Sequence, residues 1–506
     1  MRRPRAEGFR WDLWILVGWC TAFSVMGAGR VQDTDPYWQV RAGQEWLDGS
    51  PLARPDSWSW APVDGLFYPN SPLWNAALAA AWGLAESWGM FALTALTIGA
   101  YYALVVHLAR RLGASVLGTT VAIIVVSLAA LPLLSPRAGM LAQVLALAGI
   151  AAAYAWSRRA ERVPAAVSAV VVGTGGLALS LLGNWVHLSW STTALGVAVS
   201  WAAIWLLTPT LGRSHRIVLV AAGTLGLLAG VGLGPYGWSA FGRARAVVTA
   251  SAGVIEEWTG PFTTASGLAW GVLAIAIVAG CLGSAWWCLR SWTVHRTGDP
   301  RLPLTSAITV LALPTALVGL AYARFVPSAI LTMAPIAAMV STYLLTRLFA
   351  HAPLSRRPDL LTEVVWQRIL GLVLVVLAPV ALIIGSPHAS PLSAGANSAL
   401  PAECRLFSTP DEAASVILTR PDVTVWIDGR SDYWQRERLQ QAQEYLAVRQ
   451  PAELVPPGTT CILLPGPGSP GDPVPLVAAL DANPSWERVA DDGHAILWLP
   501  TVSPAD

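Results

Sequence analysis

Lysine is absent from the sequence, so all 32 of its basic side chains are arginines. Charge of either sign is also scarce: 12% of the 506 residues are charged and 54% are hydrophobic, whereas an ordinary soluble domain has about 25% charged residues. This composition excludes a purely water-soluble protein. The net charge of +2 and the scattering of the arginines between apolar runs give no basis for a nucleic-acid partner.

Several motifs that define enzyme classes are missing as well. The sequence has no glycine-rich phosphate-binding loop, no Ser-His-Asp arrangement and no histidines at metal-ligand spacing. It therefore favours none of those chemistries. Acidic side chains leave a divalent cation open as a cofactor, and no other cofactor is indicated.

Long apolar runs predict an α-helical polytopic membrane protein with about eleven transmembrane helices, each near the ~20 residues that cross a bilayer. The first run follows four arginines but is longer than the apolar part of a signal peptide, so we interpret it as an uncleaved span. The predicted spans are 12–29, 88–109, 116–134, 138–157, 163–182, 189–208, 216–233, 268–289, 303–322, 326–347 and 369–385.

The distribution of arginine predicts the orientation of these spans. Short loops rich in arginine alternate along the chain and fall on the side of the N-terminus, which indicates that this side is cytoplasmic. The two long loops, 30–87 and 234–267, are then on the outside. Because the number of spans is odd, the C-terminal tail is predicted to be extracytoplasmic too.

Composition divides the chain into a membrane domain, 1–385, a linker rich in Ser, Pro, Gly and Ala, 386–401, and a tail domain, 402–506. In the tail, short apolar runs at 423–427, 461–464 and 495–499 predict strands, and 436–448 has helical spacing. These elements predict a small α/β domain of ~100 residues, a size that folds alone.

Two of the five cysteines, Cys404 and Cys461, lie in this tail. The other three, Cys20, Cys281 and Cys288, lie in apolar runs, where a thiol packs as a small core residue. Since thiols outside the cytoplasm oxidise and the tail has no third cysteine, we predict a disulfide between Cys404 and Cys461.

The first outer loop carries carboxylates at the predicted membrane surface. Asp33 and Asp35 come just after the first span and precede an amphipathic stretch, 37–47, that contains Trp38. An interfacial carboxylate serves as a general base or a metal ligand, with aromatic side chains lining a sugar or lipid site. Alternatively, Asp35 caps a helix that begins at Pro36. The spacing alone leaves both readings open.

The pattern Asp-x-Asp-x-x-Trp-x-x-x-x-Gly from residue 33, followed by Pro-Asp-Ser-Trp-Ser-Trp from residue 55, resembles the first outer loop of bacterial GT-C membrane glycosyltransferases. The resemblance implies a GT-C fold and a sugar donor linked to polyprenyl phosphate. It also implies that Asp33 and Asp35 occupy the acidic positions, one of them as the base. A related bacterial group usually has His where this chain has Gln39.

The second outer loop has two landmarks of the same group, Gly234-Pro-Tyr-Gly-Trp238 and Glu256-Glu257-Trp258. They make Glu257 a second catalytic candidate and Tyr236 and Trp258 candidates for substrate binding. Equally, the paired glutamates are solvated residues of a polar loop. His187 ends a span within Asn184-Trp-Val-His187, a cluster that either binds a sugar hydroxyl or anchors the span at the interface.

Four arginines, Arg137, Arg243, Arg245 and Arg324, lie on the predicted outer side, against the usual trend. A phosphate group of a lipid carrier explains such arginines, because guanidinium forms bidentate bonds to phosphate, and lipid headgroups would satisfy them too. Arg324 and Arg243 are the preferred substrate-binding candidates. We expect Asp33, Asp35 and Glu257 to share one site with at least one of them.

The tail motif Trp426-Ile-Asp-Gly-Arg-Ser-Asp-Tyr433 resembles a segment in the tails of the related group. Its acidic spacing is compatible with a metal site, but it lacks a full calcium loop, so we favour a salt-linked turn at a strand end.

Together these features predict an inverting glycosyltransferase that moves a sugar from polyprenyl phosphate to an acceptor hydroxyl on the outer face of a bacterial cytoplasmic membrane. The alternative is a non-catalytic membrane scaffold, or a transporter of a lipid-linked or cell-envelope component. Donor lipid and membrane lipids are the predicted partners.

Overall fold

The computed structural model describes residues 11–29, 34–263, 267–295, 299–350, 358–385, 394–449, 453–466 and 473–501. The helices of the membrane part are α1 (Trp11–Ala28), α2 (Asp35–Leu47), α3 (Pro72–Arg111), α4 (Val116–Ala129), α5 (Ala138–Ser157), α6 (Ala165–Val186), α7 (Trp190–Leu207), α8 (Arg213–Gly232), α9 (Ser239–Ser251), α10 (Gly267–His295), α11 (Leu302–Gly319), α12 (Phe325–Ala350) and α13 (Pro358–Gly385). The tail contains α14 (Ala394–Ser398), β1 (Arg405–Ser408), α15 (Pro410–Thr419), β2 (Thr424–Val425), α16 (Arg436–Leu446), β3 (Cys461–Pro465), α17 (Val474–Asp481), β4 (Trp486–Asp491) and β5 (Ala495–Pro500).

The apolar helices correspond to the predicted spans. Among the described residues, nine helices are long and apolar enough to cross a membrane, and two further apolar helices, α4 and the Arg368–Val380 part of α13, are shorter. The chain is thus a multi-pass membrane protein. The prediction for 116–134 was too long, because α4 ends at Ala129 and a 3-10 turn, Leu131–Leu133, follows it.

The first long loop contains helix α2 and the first half of α3, and neither segment is one of the predicted spans. The amphipathic stretch becomes α2, which packs against the first half of α3. Gly43 permits this close approach, since a β-carbon there would overlap the carbonyl of Asn75. Helix α3 is then broken at Ala85 and Glu86, where Glu86 has a φ of 47°, so the amphipathic half and the membrane half are separate helical segments.

The tail forms a five-stranded sheet in the order β2-β1-β3-β5-β4. Strand β1 is parallel to β2 and β3, and β5 is antiparallel to β3 and β4. Three predicted strands and the predicted helix are present, as β2, β3, β5 and α16. Strands β1 and β4 were not predicted, and β4 is largely exposed, so it lacks the apolar run that marks a buried strand.

The tail does not bury its core by itself. Trp58 and Phe67 of the first long loop belong to the same buried cluster as Leu406 and Val425 of the sheet. The Val425 amide donates to the Trp58 carbonyl at 2.8 Å, and the Trp60 amide donates to the Val425 carbonyl at 3.1 Å. The loop thereby adds one short strand-like segment beside β2. Part of the core of the tail is thus built from residues of the first long loop.

The tail also contacts the second long loop. The Arg436 guanidinium on α16 donates to the carbonyl of Ala252 at 2.9 Å, and Gln443 donates to that of Val254. Both long loops and the tail therefore lie on one side of the helical bundle, which we call the tail side.

In the structure a disulfide joins Cys404 to Cys461, and their Cα atoms are 6.1 Å apart. It connects the start of β1 to the start of β3 and encloses the segment that contacts both loops. We expect peptide mapping without reduction to find the two cysteines linked, and Cys404→Ala to destabilise the tail by about 2–5 kcal/mol. Alkylation of both thiols in the unreduced native protein would contradict this prediction.

Candidate active site

Asp35 is the first residue of α2, with Thr34 at the N-cap position. The helix thus begins one residue earlier than the capping interpretation assumed, and a carboxylate in its first turn interacts favourably with the helix dipole. Asp35 Oδ1 accepts a hydrogen bond from Trp38 Nε1 at 3.0 Å. Asp35 Oδ2 lies 4.0 Å from Nη2 of Arg137. Asp33 lies outside the described residues.

Arg137 connects Asp35 to Glu257. Its Nη1 donates to Glu257 Oε2 at 3.2 Å, and Arg324 forms an ion pair with the other oxygen of the same carboxylate. The Arg324 amide also donates to the Glu257 carbonyl at 3.0 Å. The structure thus brings four side chains together in a row of alternating negative and positive charges: Asp35, Arg137, Glu257 and Arg324. We call this row the charge cluster.

The two arginines share a position in the fold. Arg137 is the N-cap residue of α5, and Arg324 directly precedes α12, which begins at Phe325. Helix N-termini carry unpaired amides and a partial positive charge, so they favour anions. Side chains that are 25% and 32% exposed, respectively, keep both guanidiniums accessible from the tail side.

Trp258 is held beside Arg324. The Arg324 guanidinium lies 5.0 Å from the centre of the Trp258 ring, and the ring is 6% exposed because it packs edge-on against Tyr322 and Phe325. The packed Trp258 ring therefore limits the positions that the Arg324 guanidinium can take. Glu256, the other member of the predicted carboxylate pair, begins the short 3-10 turn Glu256–Trp258.

His187 lies directly after α6, close enough to the charge cluster for Arg324 and Arg137 to change its pKa. Burial, then Arg324 and Arg137, lower its pKa to about 4, so the imidazole is neutral at pH 7. The Ser189 amide donates to Nδ1 at 3.1 Å, which leaves the ring proton on Nε2. His187 is thus a neutral hydrogen-bond donor. Its neighbour Trp185 stacks on Trp46, with ring centres 5.6 Å apart, which suits the anchoring role.

Tyr236 and Arg243 make contacts of their own with the first long loop. The Tyr236 hydroxyl donates to the carbonyl of Pro69, and burial followed by the charge of Asp432 raises its pKa. The Arg243 guanidinium lies 3.7 Å from the ring centre of Tyr68. These contacts join the two long loops, and the arginine that pairs with Glu257 is Arg324 together with Arg137, not Arg243.

The tail motif forms the salt-linked turn that its sequence favours. Arg430 is fully buried and donates to Asp428 at 2.7 and 2.8 Å and to Asp56 at 2.8 Å. Its guanidinium also lies 4.4 Å from the ring centre of Trp58 and 4.6 Å from that of Phe67. Asp428 of this motif and Asp56 of the first long loop thus hold Arg430 between them, and the turn joins the tail to that loop.

Within the described residues, the carboxylates of the charge cluster are paired with arginines. No group of three or more His, Cys, Asp or Glu side chains suited to a metal occurs among the residues that the structure describes. Asp35 contacts the guanidinium of Arg137, and Glu257 contacts those of Arg137 and Arg324. In the described part of the chain, these two arginines provide the positive charge beside the carboxylates.

Sequence reasoning gave Arg137 no role of its own, although it is the residue that connects the two carboxylates. A usable signal was present: an arginine on the predicted outer side, directly before a span. It did not rank Arg137 above three other outward arginines, because only the folded structure places the start of α5 beside Asp35 and Glu257.

The fold of the chain is similar to that of known solved structures. Two crystal structures of ArnT from Cupriavidus metallidurans cover 96% of the chain and 97% of their own: the form bound to undecaprenyl phosphate, with 13% identity and a TM-score of 0.50, and the apo form, with 12% identity and a TM-score of 0.51. No protein-family model matches the sequence, and curated proteins give no match either. ArnT is a GT-C glycosyltransferase, and the chain has the GT-C fold that its first loop predicted.

Proposed function

We propose that this protein is a membrane glycosyltransferase that moves a sugar from a polyprenyl-phosphate donor to an acceptor hydroxyl. The observation that carries the proposal is the charge cluster, where the Asp35 carboxylate lies beside Arg137 and Glu257 links Arg137 to Arg324. We assign proton acceptance to Asp35 and phosphate binding to the two guanidiniums. The arginine alternation of the short loops supports an outward orientation of the tail side, with the N-terminus in the cytoplasm.

Asp35 is the proposed general base. It takes the proton of the acceptor hydroxyl while that oxygen attacks the anomeric carbon of the sugar from the face opposite the phosphate. The bond between the anomeric carbon and the phosphate oxygen breaks, and the polyprenyl phosphate leaves with the electron pair. One displacement of this kind inverts the anomeric configuration.

Arg137 and Arg324 are the proposed phosphate-binding residues. The leaving phosphate gains negative charge as the bond breaks, so fixed guanidiniums and the N-termini of α5 and α12 lower the barrier without a strong acid. Glu257 contacts both guanidiniums, and we assign it the role of orienting them rather than that of a base. His187 is a donor available to a sugar hydroxyl, and Arg243 on Tyr68 offers a second positive charge from the second loop.

The comparison adds one point of support. ArnT, whose fold the chain shares, was solved with undecaprenyl phosphate bound, and a phosphate on a long isoprenoid is the ligand that both an apolar helical bundle and an exposed pair of arginines accommodate. We accordingly propose a polyprenyl phosphate as the carrier, with no assignment of its sugar.

Native mass spectrometry of the detergent-purified protein tests the proposal. We expect a co-purified adduct with the mass of a polyprenyl phosphate or its glycosylated form, and its loss in the double variant Arg137→Gln, Arg324→Gln. Arg488→Gln, which changes an arginine on the exposed strand β4, is the matched control. Retention of the same lipid by the double variant, or phospholipid adducts alone in every sample, would contradict it.

A further inference from the structure

Gly429 of the tail lies directly against the Asp35 carboxylate. A β-carbon at this position would stand 2.7 Å from Asp35 Oδ1 and 3.4 Å from Trp38 Nε1. A carbon–oxygen separation of 2.7 Å is well inside the ~3.5 Å at which nonbonded atoms attract. The glycine is thus required for space, and it brings the tail backbone into contact with the proposed base.

The backbone at Gly429 has little freedom to retreat. The next residue is the fully buried Arg430, which donates to Asp428 on one side and to Asp56 of the first long loop on the other. The Ser431 amide donates to the Gly429 carbonyl at 2.8 Å. These bonds anchor the turn in the same loop that leads from α2 to α3.

Trp38, one helical turn after Asp35 on α2, constrains the same carboxylate oxygen. Its Nε1 donates to Asp35 Oδ1 at 3.0 Å, and the side chain is 2% exposed, so the indole cannot turn away. Oδ1 therefore meets the indole N–H and the Gly429 backbone, while Oδ2 is the oxygen that faces Arg137.

The tail also holds the loop that carries Glu257. Arg436 and Gln443, on one helix of the tail, donate to the carbonyls of Ala252 and Val254, a few residues before the 3-10 turn with Glu257. One domain is thus bonded to both loops whose carboxylates contact Arg137.

We propose that Gly429 and Trp38 are positioning residues for Asp35, so that the tail completes the active site instead of merely covering it. This inference rests on the proposed function. By contacting Oδ1, the two residues hold the carboxylate so that Oδ2 faces Arg137, where the acceptor hydroxyl would meet it. A misplacement of about 1 Å in such an arrangement lowers a rate by up to a hundredfold.

The variant Gly429→Ala tests the proposal in the full-length protein. We expect kcat for transfer to fall about tenfold to a hundredfold, with KM for the lipid donor within about twofold, because the arginines are untouched. Trp38→Phe removes the N–H without adding volume and should show the same split if Gly429→Ala fails to fold. Gly280→Ala is the matched control, since a β-carbon there meets no atom within 4 Å.

Combination with Asp35→Asn separates positioning from a general structural effect. If Gly429 acts through Asp35, Gly429→Ala lowers kcat in the wild type but adds no further loss to Asp35→Asn. Equal losses in both backgrounds, or an unchanged kcat in a folded Gly429→Ala protein, overturn the positioning proposal and leave the proposed function standing. An unchanged rate in Asp35→Asn itself overturns the proposed base, and with it the positioning role.

A thermal measurement checks the contact without any transfer assay. Asp35→Ala removes the oxygen that the new β-carbon would strike, so Gly429→Ala should lower the melting temperature less in the Asp35→Ala background than in the wild type. Identical shifts in the two backgrounds would show that Gly429 does not act on Asp35 and would overturn the proposal.

Discussion

Replacement of Asp35 by Asn is expected to lower the transfer rate by about a hundredfold or more while the melting temperature stays close to that of the wild type. The reason is that Asn has the shape of Asp and still accepts the Trp38 hydrogen bond through its side-chain oxygen, but it cannot take a proton from the acceptor hydroxyl. The measurement is a steady-state transfer assay beside a thermal unfolding curve, with Asp33→Asn assayed in parallel.

Asp48→Asn is the matched control for this experiment. Asp48 is exposed and lies just past the other end of α2, so the same chemical change there should leave the transfer rate unaltered. Near-normal transfer by both Asp33→Asn and Asp35→Asn would reject a catalytic carboxylate in this loop. A non-catalytic scaffold would then be the better description of the protein.

Replacement of Arg430 by Ala is expected to cost about 3–5 kcal/mol in the free energy of unfolding. Arg430 and Asp56 are 0% and 1% exposed, and Asp428 is also fully buried, so the change leaves two carboxylates buried without their cation. The cavity among Trp58, Phe67 and Tyr433 adds to the loss. Denaturant or thermal unfolding in detergent measures it.

The comparison for Arg430 is Arg488→Ala in the same domain. Arg488 pairs with Asp481 and Asp491 on the surface, where its side chain is 37% exposed, and such pairs contribute about 0–1 kcal/mol. A similar loss of stability in the two variants would show that the buried ion pairs of Arg430 stabilise the fold no more than the surface pairs of Arg488 do.

The sequence predicted the parts of this molecule that depend on local pattern. Apolar runs located the spans because a bilayer requires ~20 apolar residues whatever the tertiary contacts are. The amphipathic stretch 37–47 located α2, and the capping interpretation placed Asp35 one residue before its predicted start, whereas Asp35 is its first residue. The end of α4 was misjudged because the apolar run continues past Ala129 through a 3-10 turn, and hydropathy does not distinguish the two backbones.

The contacts that make a site from these parts were not predictable in the same way. Arg137, Glu257 and Arg324 come from three loops far apart in sequence, and nothing local sets which arginine meets which carboxylate. The need for a glycine at position 429 arises only because Asp35 lies beside it. The sequence alone shows that residue 429 is a glycine, but it does not show that a side chain there would collide with Asp35 Oδ1.

The pairing of Asp56 with Arg430, 374 positions later in the chain, has a consequence for biogenesis. At a synthesis rate of about 5–20 residues per second, the first long loop waits roughly 20 to 75 seconds before its partner has been made. During that interval Trp58 and Phe67 lack the tail residues that bury them, and exposed apolar surface of this kind is what chaperones bind in immature chains. The contact between Gly429 and Asp35 therefore forms among the last in assembly, so under the proposed function a chain released before the tail is made lacks the segment that positions Asp35.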